Sequence, residues 1–496
     1  MATERIASAY IDGRWVTGAG ETYEIINPSD EEVLAVVPAL TVAQADEAVA
    51  AAKRAFDGGP WSSTPARERS RLLHTLADLL ERDHERLGAL MVDEIGTPRS
   101  VVDFMQVPFP IRNIRWFADA AAGLASGPDP WIPATAAAPG TATRVSREPI
   151  GVVLGLTAYN FPLNLAAWKL GGALASGCSI VLMSSPKSVL TTTALAQLVD
   201  EAGFPPGAFN FVYGPADVAE HLCAHPDVDF VSFTGSAAVG RRIVEVSAPT
   251  LKRVVLELGG KSADVILPGT DVDAVAESCV LGWMGNAGQG CSSLTRTLVH
   301  RPDYERYLDA AVRHAETVGC GDPHNPTTVV GPLVSAGQRD SVAGYVDRAV
   351  AAGGKVLTGG KAPEGFAKGY YYEPTIVTNV GNDAEIAQQE LFGPVSVVLP
   401  YDNVEQAVAL ANDSIYGLAA NVWGPTADAI EVAGKIRAGT VTVNGGGPML
   451  GDHPWGGFKQ SGVGREGGVL GFAEFFETKH VLWPLDSPAR QRAAAS

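Results

Sequence analysis

Cys291 lies in the run NAGQGCSS, flanked by Gly288 and Gly290, where the chain can turn tightly and leave a thiol open to a ligand. So polar and glycine-rich a setting tilts this thiol toward reactivity rather than packing. Cys178, Cys223, Cys279 and Cys320 stand in apolar or ordinary surroundings and read as packing, which is the commoner role of a lone cysteine. Glu257 closes RVVLELGG, a carboxylate at the end of an otherwise apolar strand. It could serve as a general base; its bland alternative is a solvated strand-end glutamate. Asn160, in TAYNFP, could donate an amide hydrogen bond to a developing oxyanion, or simply form a turn before the X-Pro step.

Two further runs bear on nucleotides. FVSFTGSAAVGRRI passes from an apolar strand through Thr234, Gly235 and Ser236 straight into a helix, whose free N–H groups and positive dipole end can approach a phosphate. It lacks the full G-x-G-x-x-G spacing, so an ordinary strand-to-helix turn is the competing reading. GGKS at 259–262 imitates the end of a triphosphate-binding loop, but the glycine required five positions before Gly260 is Val255, a strand residue. That reading is set aside.

The elements that must position these residues are legible as patterns. TVAQADEAVAAAKRAF (41–56) and residues 66–95 carry apolar residues at three- and four-residue spacing, which predicts amphipathic helices. From Gly151 onward apolar runs alternate with helical patterns: GVVLGLTA, LNLAAWKLGGALASG, SIVLMS, VLTTTALAQLVDEAG, AFNFVYG, PADVAEHLCAH, VDFVSFTG, AAVGRRIVEVSA, KRVVLELGG. Strands apolar on both faces and alternating with helices predict a parallel, doubly wound α/β sheet. A second alternation between about 263 and 443 predicts a second α/β unit. The Pro/Ala/Gly-rich stretch 127–143 breaks helical periodicity and reads as a linker or extended arm.

Composition limits the partners. The 37 basic and 55 acidic residues give a net charge of −18, which opposes binding to nucleic acid and to anionic membranes. Five scattered cysteines suggest neither a zinc site nor a disulfide framework, so no metal is expected and a reducing, cytoplasmic setting is. The N-terminal MATERIASAYIDGRW has no apolar run of signal-peptide length, and no uncharged apolar stretch reaches the ~20 residues needed to span a bilayer.

Taken in order, Asn160 in TAYNFP, Lys169 in AWKLG, the FTGS turn, Glu257 in ELGGKS and Cys291 in NAGQGC resemble the aldehyde dehydrogenase superfamily. ELFGP (390–394), NDSIYGL (412–418) and WGGFKQSGVGRE (455–466) extend the resemblance over nearly the whole chain. It implies a Rossmann-like coenzyme domain over 1–126 and 150–258, and a catalytic α/β domain over 259–465. A small β oligomerisation arm over 127–149 and 466–486 and a flexible tail, 487–496, complete the expected subunit.

The resemblance also implies a mechanism and a set of residues. Cys291 would add to an aldehyde, Asn160 would hold the oxyanion, hydride would pass to NAD, and Glu257 would activate water to hydrolyse the thioester. Lys169 would position groups or relay a proton. Coenzyme contacts fall on Thr157, Ala158, Tyr159, Ser184, Lys187, Gly235, Ser236, Leu258, Gly259, Glu390 and Phe392, and the aldehyde wall on Phe161, Leu165, Trp168, Met284, Met449 and Trp455. That wall suits an apolar or aromatic aldehyde. One departure stands out: where relatives show K-P-S-E, this chain reads Ser184, Ser185, Pro186, Lys187, which predicts weakened discrimination against NADP. The alternative placements are a coenzyme-A-acylating relative and a catalytically silent one; retention of Asn160, Glu257 and Cys291 favours neither. A homo-oligomer, dimer or tetramer, is expected.

Overall fold

The computed structural model describes residues 8–124, 141–446 and 451–484. The stretch 127–140, Met449 and the tail 487–496 therefore lie outside the described residues.

The first sheet is built on five parallel strands in the spatial order Arg253–Glu257, Phe230–Thr234, Val152–Leu156, Ser179–Ser184, Phe209–Tyr213. Four of them are buried along their whole length, as expected of strands covered on both faces by helices. The chain starts in the middle and winds first one way, then the other, so its topological switch point lies between Val152–Leu156 and Phe230–Thr234. Antiparallel strands close both edges: Ala9–Ile11 with Arg14–Val16 at one, Gly462–Val463 at the other. Gly462–Val463 comes from within 259–465, so the end of that stretch packs with the first sheet, where it pairs the otherwise open edge of Arg253–Glu257.

The covering helices follow the apolar spacing. Val42–Asp57 begins at Thr41, whose hydroxyl accepts the Gln44 N–H while the Gln44 side chain bonds back to the Thr41 backbone, a reciprocal cap. The periodic stretch 66–95 forms two helices, Ala66–Arg82 and His84–Ile95. They part at Asp83, whose carboxylate is held by Arg82 at 2.7 Å and Arg86 at 2.9 Å. Pro162–Ser176 is buried at every position, enclosed between the sheet and its neighbours.

A five-residue link, 258–262, leads from the last parallel strand of the first sheet into the second. There six parallel strands run in the order Thr375–Thr378, Val395–Tyr401, Arg296–His300, Ala263–Ile266, Ala419–Trp423, Thr440–Val443, with Lys355–Thr358 antiparallel at one edge. Each sheet has its own apolar core. A separate ribbon pairs Thr141–Pro149 with Phe476–Pro484. Among the described residues no helix is long and apolar enough to cross a membrane.

Candidate active site

Because the link is so short, the carboxyl edge of the first sheet faces the amino edge of the second. Residues leaving strands of the first sheet (Asn160, Glu257) meet residues about to enter strands of the second (Cys291 before Arg296, Glu390 before Val395).

The cysteine loop follows the helix Val272–Met284. Asn286, Ala287 and Gly288 all take left-handed φ, at 54°, 53° and 69°. The two non-glycine residues cost about 1–2 kcal/mol each in that conformation, so the loop must be held. It is: Thr97 donates to Asn286 Oδ1 at 2.9 Å, Asn286 Nδ2 donates to the Asn160 carbonyl at 3.3 Å, and Gln289 N–H donates to the Asn286 carbonyl at 3.1 Å. Gln289 Oε1 accepts from Tyr159 Oη at 3.1 Å and from Val334 N–H at 3.0 Å. Gly288 is required, since a Cβ there would lie 2.1 Å from the Gly393 carbonyl oxygen. Gly290 needs no unusual φ, so the tight turn begins earlier than the glycine spacing suggests.

Cys291 emerges partly exposed, while Glu257 and Asn160 are only 1% and 4% exposed. The Asn160 amide points at the cysteine loop, Nδ2 donating to the Gln289 carbonyl at 2.9 Å. Neither oxygen of Glu257 has a hydrogen-bond partner within normal geometry. Burial raises its carboxyl pKa well above the ordinary range, and the Glu466 charge adds to this; Trp455, Lys169 and the Cys291 thiol pull the other way. Lys169, wholly buried, donates to Glu466 at 2.6 Å and to Thr234 Oγ1 at 2.7 Å, and Ser232 Oγ donates to the same Glu466 oxygen at 3.0 Å. Burial likewise pushes the Cys291 thiol well above its ordinary value, followed by the charges of Glu257 and Glu390. The resting pocket therefore holds a thiol beside an acidic partner able to exchange a proton with it.

Sequence reasoning gave no role to Glu466, Gln289, Asn286 or Thr97. Glu466 was in view at the end of WGGFKQSGVGRE, but its partner Lys169 is 297 residues away.

Residues 15–481 match the aldehyde dehydrogenase family. The chain is 38% identical to betaine aldehyde dehydrogenase of Bacillus subtilis over 95% of its length and 96% of that protein's. The chain belongs to the aldehyde dehydrogenase family. It is thus an oxidoreductase of the aldehyde group. Geranial dehydrogenase of Castellaniella defragrans is 37% identical, with 95% of this chain and 98% of that protein covered. Among solved structures, an NAD+ complex of aldehyde dehydrogenase from Bacillus cereus superimposes with a TM-score of 0.92 at 38% identity, covering 97% of each chain. Aldehyde dehydrogenase C from Pseudomonas syringae, a cysteine-to-alanine mutant complexed with NAD+ and octanal, gives 0.91 at 37% identity, covering 97% of this chain and 98% of that one.

The dehydrogenase has a cleft of about 650 Å³ at the switch point of its first sheet. Thr157, Ala158, Tyr159, Ser184, Thr234 and Gly235 line it, and Ser236 caps the helix Ala237–Ser247 at its rim by accepting the Val239 N–H. Leu258 packs on that helix, where a Cβ on Gly240 would meet its side chain at 2.8 Å. At the seam the Glu390 carboxylate accepts the Gly260 N–H at 3.1 Å; burial lifts its pKa to about 7, with that N–H and Lys261 opposing. A Cβ on Gly259 would lie 2.1 Å from Glu390 Oε2, and one on Gly260 2.4 Å from the Cys291 carbonyl oxygen. The GGKS run is thereby explained as a link threaded between Glu390 and the cysteine loop. The Phe392 ring meets Tyr159 edge-on at 6.0 Å.

Two expected site residues are placed elsewhere. Lys187 does not line the cleft: the turn Pro186–Ser188 carries it into a neighbouring pocket with Tyr23, Glu94 and Tyr370. Met183, Ser184, Ser185 and Pro186, none of them charged, face the cleft there instead. Met284 is fully buried in the second core, at the end of a helix packed on that sheet, rather than on an open wall. The aldehyde-wall residues Phe161, Leu165, Trp168 and Trp455 gather in or against the first core. Trp168 and Trp455 stack at 6.4 Å with planes 18° apart, and Leu165 and the half-buried Phe161 pack in the same cluster as Cys291.

Proposed function

We propose that the chain oxidises an apolar or aromatic aldehyde to its carboxylic acid with NAD, through a thioester on Cys291 that water hydrolyses. The observation that carries this reading is the convergence of Cys291, the Asn160 amide and the buried, unpartnered Glu257 at the seam.

The cleft suits a dinucleotide. Its switch-point position, the close backbone approach at Gly235 and the uncrowded helix start at Ser236 fit a pyrophosphate, and Glu390 with Phe392 fits the nicotinamide end. NAD, when bound, supplies the hydride acceptor. The chain's own groups do the rest. Glu257 takes the thiol proton, and sulfur bonds to the aldehyde carbon. The Asn160 amide and the Cys291 N–H hold the resulting oxyanion, which drives out hydride and leaves the thioester. Glu257 gives up the thiol proton to solvent, takes another from water as the water oxygen attacks the acyl carbon, and hands that one to the departing sulfur. Lys169 and Glu466, neutralising each other 2.6 Å apart, fix the field around Glu257. The Trp168–Trp455 wall, and the octanal bound by the Pseudomonas syringae relative, support an apolar substrate.

The ribbon Phe476–Pro484 leaves Val481, Leu482 and Trp483 exposed, which supports pairing of subunits through it. All five cysteines are free, which supports a cytoplasmic setting.

The test is the absorbance of reduced nicotinamide with octanal, benzaldehyde and succinic semialdehyde, NAD and NADP in parallel, beside Cys291→Ala. Turnover of the first two with NAD, absent in Cys291→Ala, is expected. Preference for the semialdehyde would refute the apolar wall. A requirement for coenzyme A would replace hydrolysis by acyl transfer.

A further inference from the structure

Behind Asn160 lies a buried amide cluster that the chemistry above leaves unexplained. Pro108 lacks an N–H, so the helical run that begins at Arg99 cannot continue its regular ladder through it. Instead Val102–Gln106 forms a single π turn, closed by Val107 N–H donating to the Val102 carbonyl at 3.3 Å. The turn delivers the wholly buried Gln106 against the active-site strand end: Nε2 donates to the Asn160 carbonyl at 2.7 Å and to Thr97 Oγ1 at 3.4 Å. Thr97 in turn donates to Asn286, which donates to the same Asn160 carbonyl. Two side-chain amides from distant segments thus clamp the backbone of the residue whose own amide faces the cysteine loop.

Gln106 Oε1 is buried with no hydrogen-bond partner. An unpaired buried acceptor costs about 1–3 kcal/mol, so an apolar side chain would serve packing better at this position. We propose that Gln106 is a positioning residue for the oxyanion: it fixes the Asn160 backbone so that Nδ2 stays aimed at the oxygen that becomes the oxyanion. This rests on the role given to Asn160 above.

Gln106→Leu fills the space and removes the donor. With octanal and NAD, kcat is expected to fall about tenfold or more, since small misplacements at a reacting centre cost that much, while NAD affinity and melting temperature are not lowered. On an Asn160→Ala background the same substitution is expected to change kcat less than about twofold, because its effect passes through that amide. Gln106→Glu keeps the shape and can donate only when protonated, so its deficit relative to wild type is expected to shrink as pH falls. An unchanged kcat in Gln106→Leu, or losses that multiply in the double variant, would overturn the proposal alone. A fully active Asn160→Ala would overturn the reading of Asn160 and the proposal with it.

Discussion

Glu257→Gln separates the two halves of the reaction. The substitution keeps the volume at the strand end and removes both the base and one of the charges that hold the Cys291 thiol above its ordinary pKa. A general base contributes about 10²–10⁴-fold, and burial makes Glu257 a stronger base than an ordinary carboxylate, so steady-state kcat should fall about 10²–10³-fold. Acylation of sulfur does not need the water step, and with the Glu257 charge gone the Cys291 thiol can give its proton to solvent instead. Rapid mixing of enzyme, NAD and octanal should therefore show a burst of reduced nicotinamide close to one per subunit, followed by the slow rate. Wild-type kcat should also decline on the acid side at a pH above the ordinary carboxylate range, as Glu257 protonates, and that limb should vanish in the variant. Alkylation by iodoacetamide at neutral pH should be faster in the variant, because removing a negative neighbour favours the thiolate. Slow turnover without a burst, together with slower alkylation, would show that Glu257 acts chiefly by ionising the cysteine, and the hydrolytic assignment would fall. A loss under about threefold would mean another group activates the water.

Asp264, wholly buried in the second sheet with Oδ1 accepting from Asn421 Nδ2 at 2.8 Å, has its pKa lifted by burial from 3.8 to about 6. Because the folded value is the higher one, its contribution to stability is lost as pH rises between the two values, by up to about 3 kcal/mol. Urea unfolding between pH 4 and 7 should show a stability decline that Asp264→Asn lacks, and equal slopes would refute it. Lys187→Ala should leave the ratio of NAD to NADP turnover within about twofold, since an exposed side chain outside the cleft contributes little. A larger change would bring Lys187 back to the coenzyme. Gly259→Ala must displace Glu390, and should raise the coenzyme KM about tenfold or more with the protein still folded; an unchanged KM would remove Glu390 from the coenzyme site.

Much of the fold is written locally. Strands buried on both faces have no polar side to alternate, so runs such as SIVLMS and AFNFVYG stand out against the helices between them, and each quoted run coincides with its strand. The glycine-flanked cysteine and the strand-end glutamate were visible for the same reason: each breaks the pattern of its own segment. Pairings across long separations were not. Nothing near Lys169 announces Glu466, and the two-residue strand Gly462–Val463 is too short to carry a periodicity. The amide clamp depends on a π turn whose only local sign is Pro108. Lys187 misled because its type suggested a phosphate partner, while its direction is decided by the turn at Pro186.

The seam also limits how charge can be arranged. Lys169 and Glu466 neutralise each other, which leaves Glu257 and Cys291 facing one another in a poorly solvated space. A carboxylate and a thiolate together would place two uncompensated negative charges there, and both groups respond by holding protons more tightly than usual. The pair therefore ionises in steps that belong to both groups rather than to either. On the mechanism proposed above two protons pass through Glu257: the thiol proton, taken as sulfur attacks the aldehyde and released to solvent once the thioester has formed, and a second, taken from water and given to sulfur as the thioester is cleaved. The electrostatic cost that keeps the resting thiol inert is relieved when sulfur becomes bonded to carbon, because Glu257 is then the only acidic member of the pair left to ionise and is free to act on water.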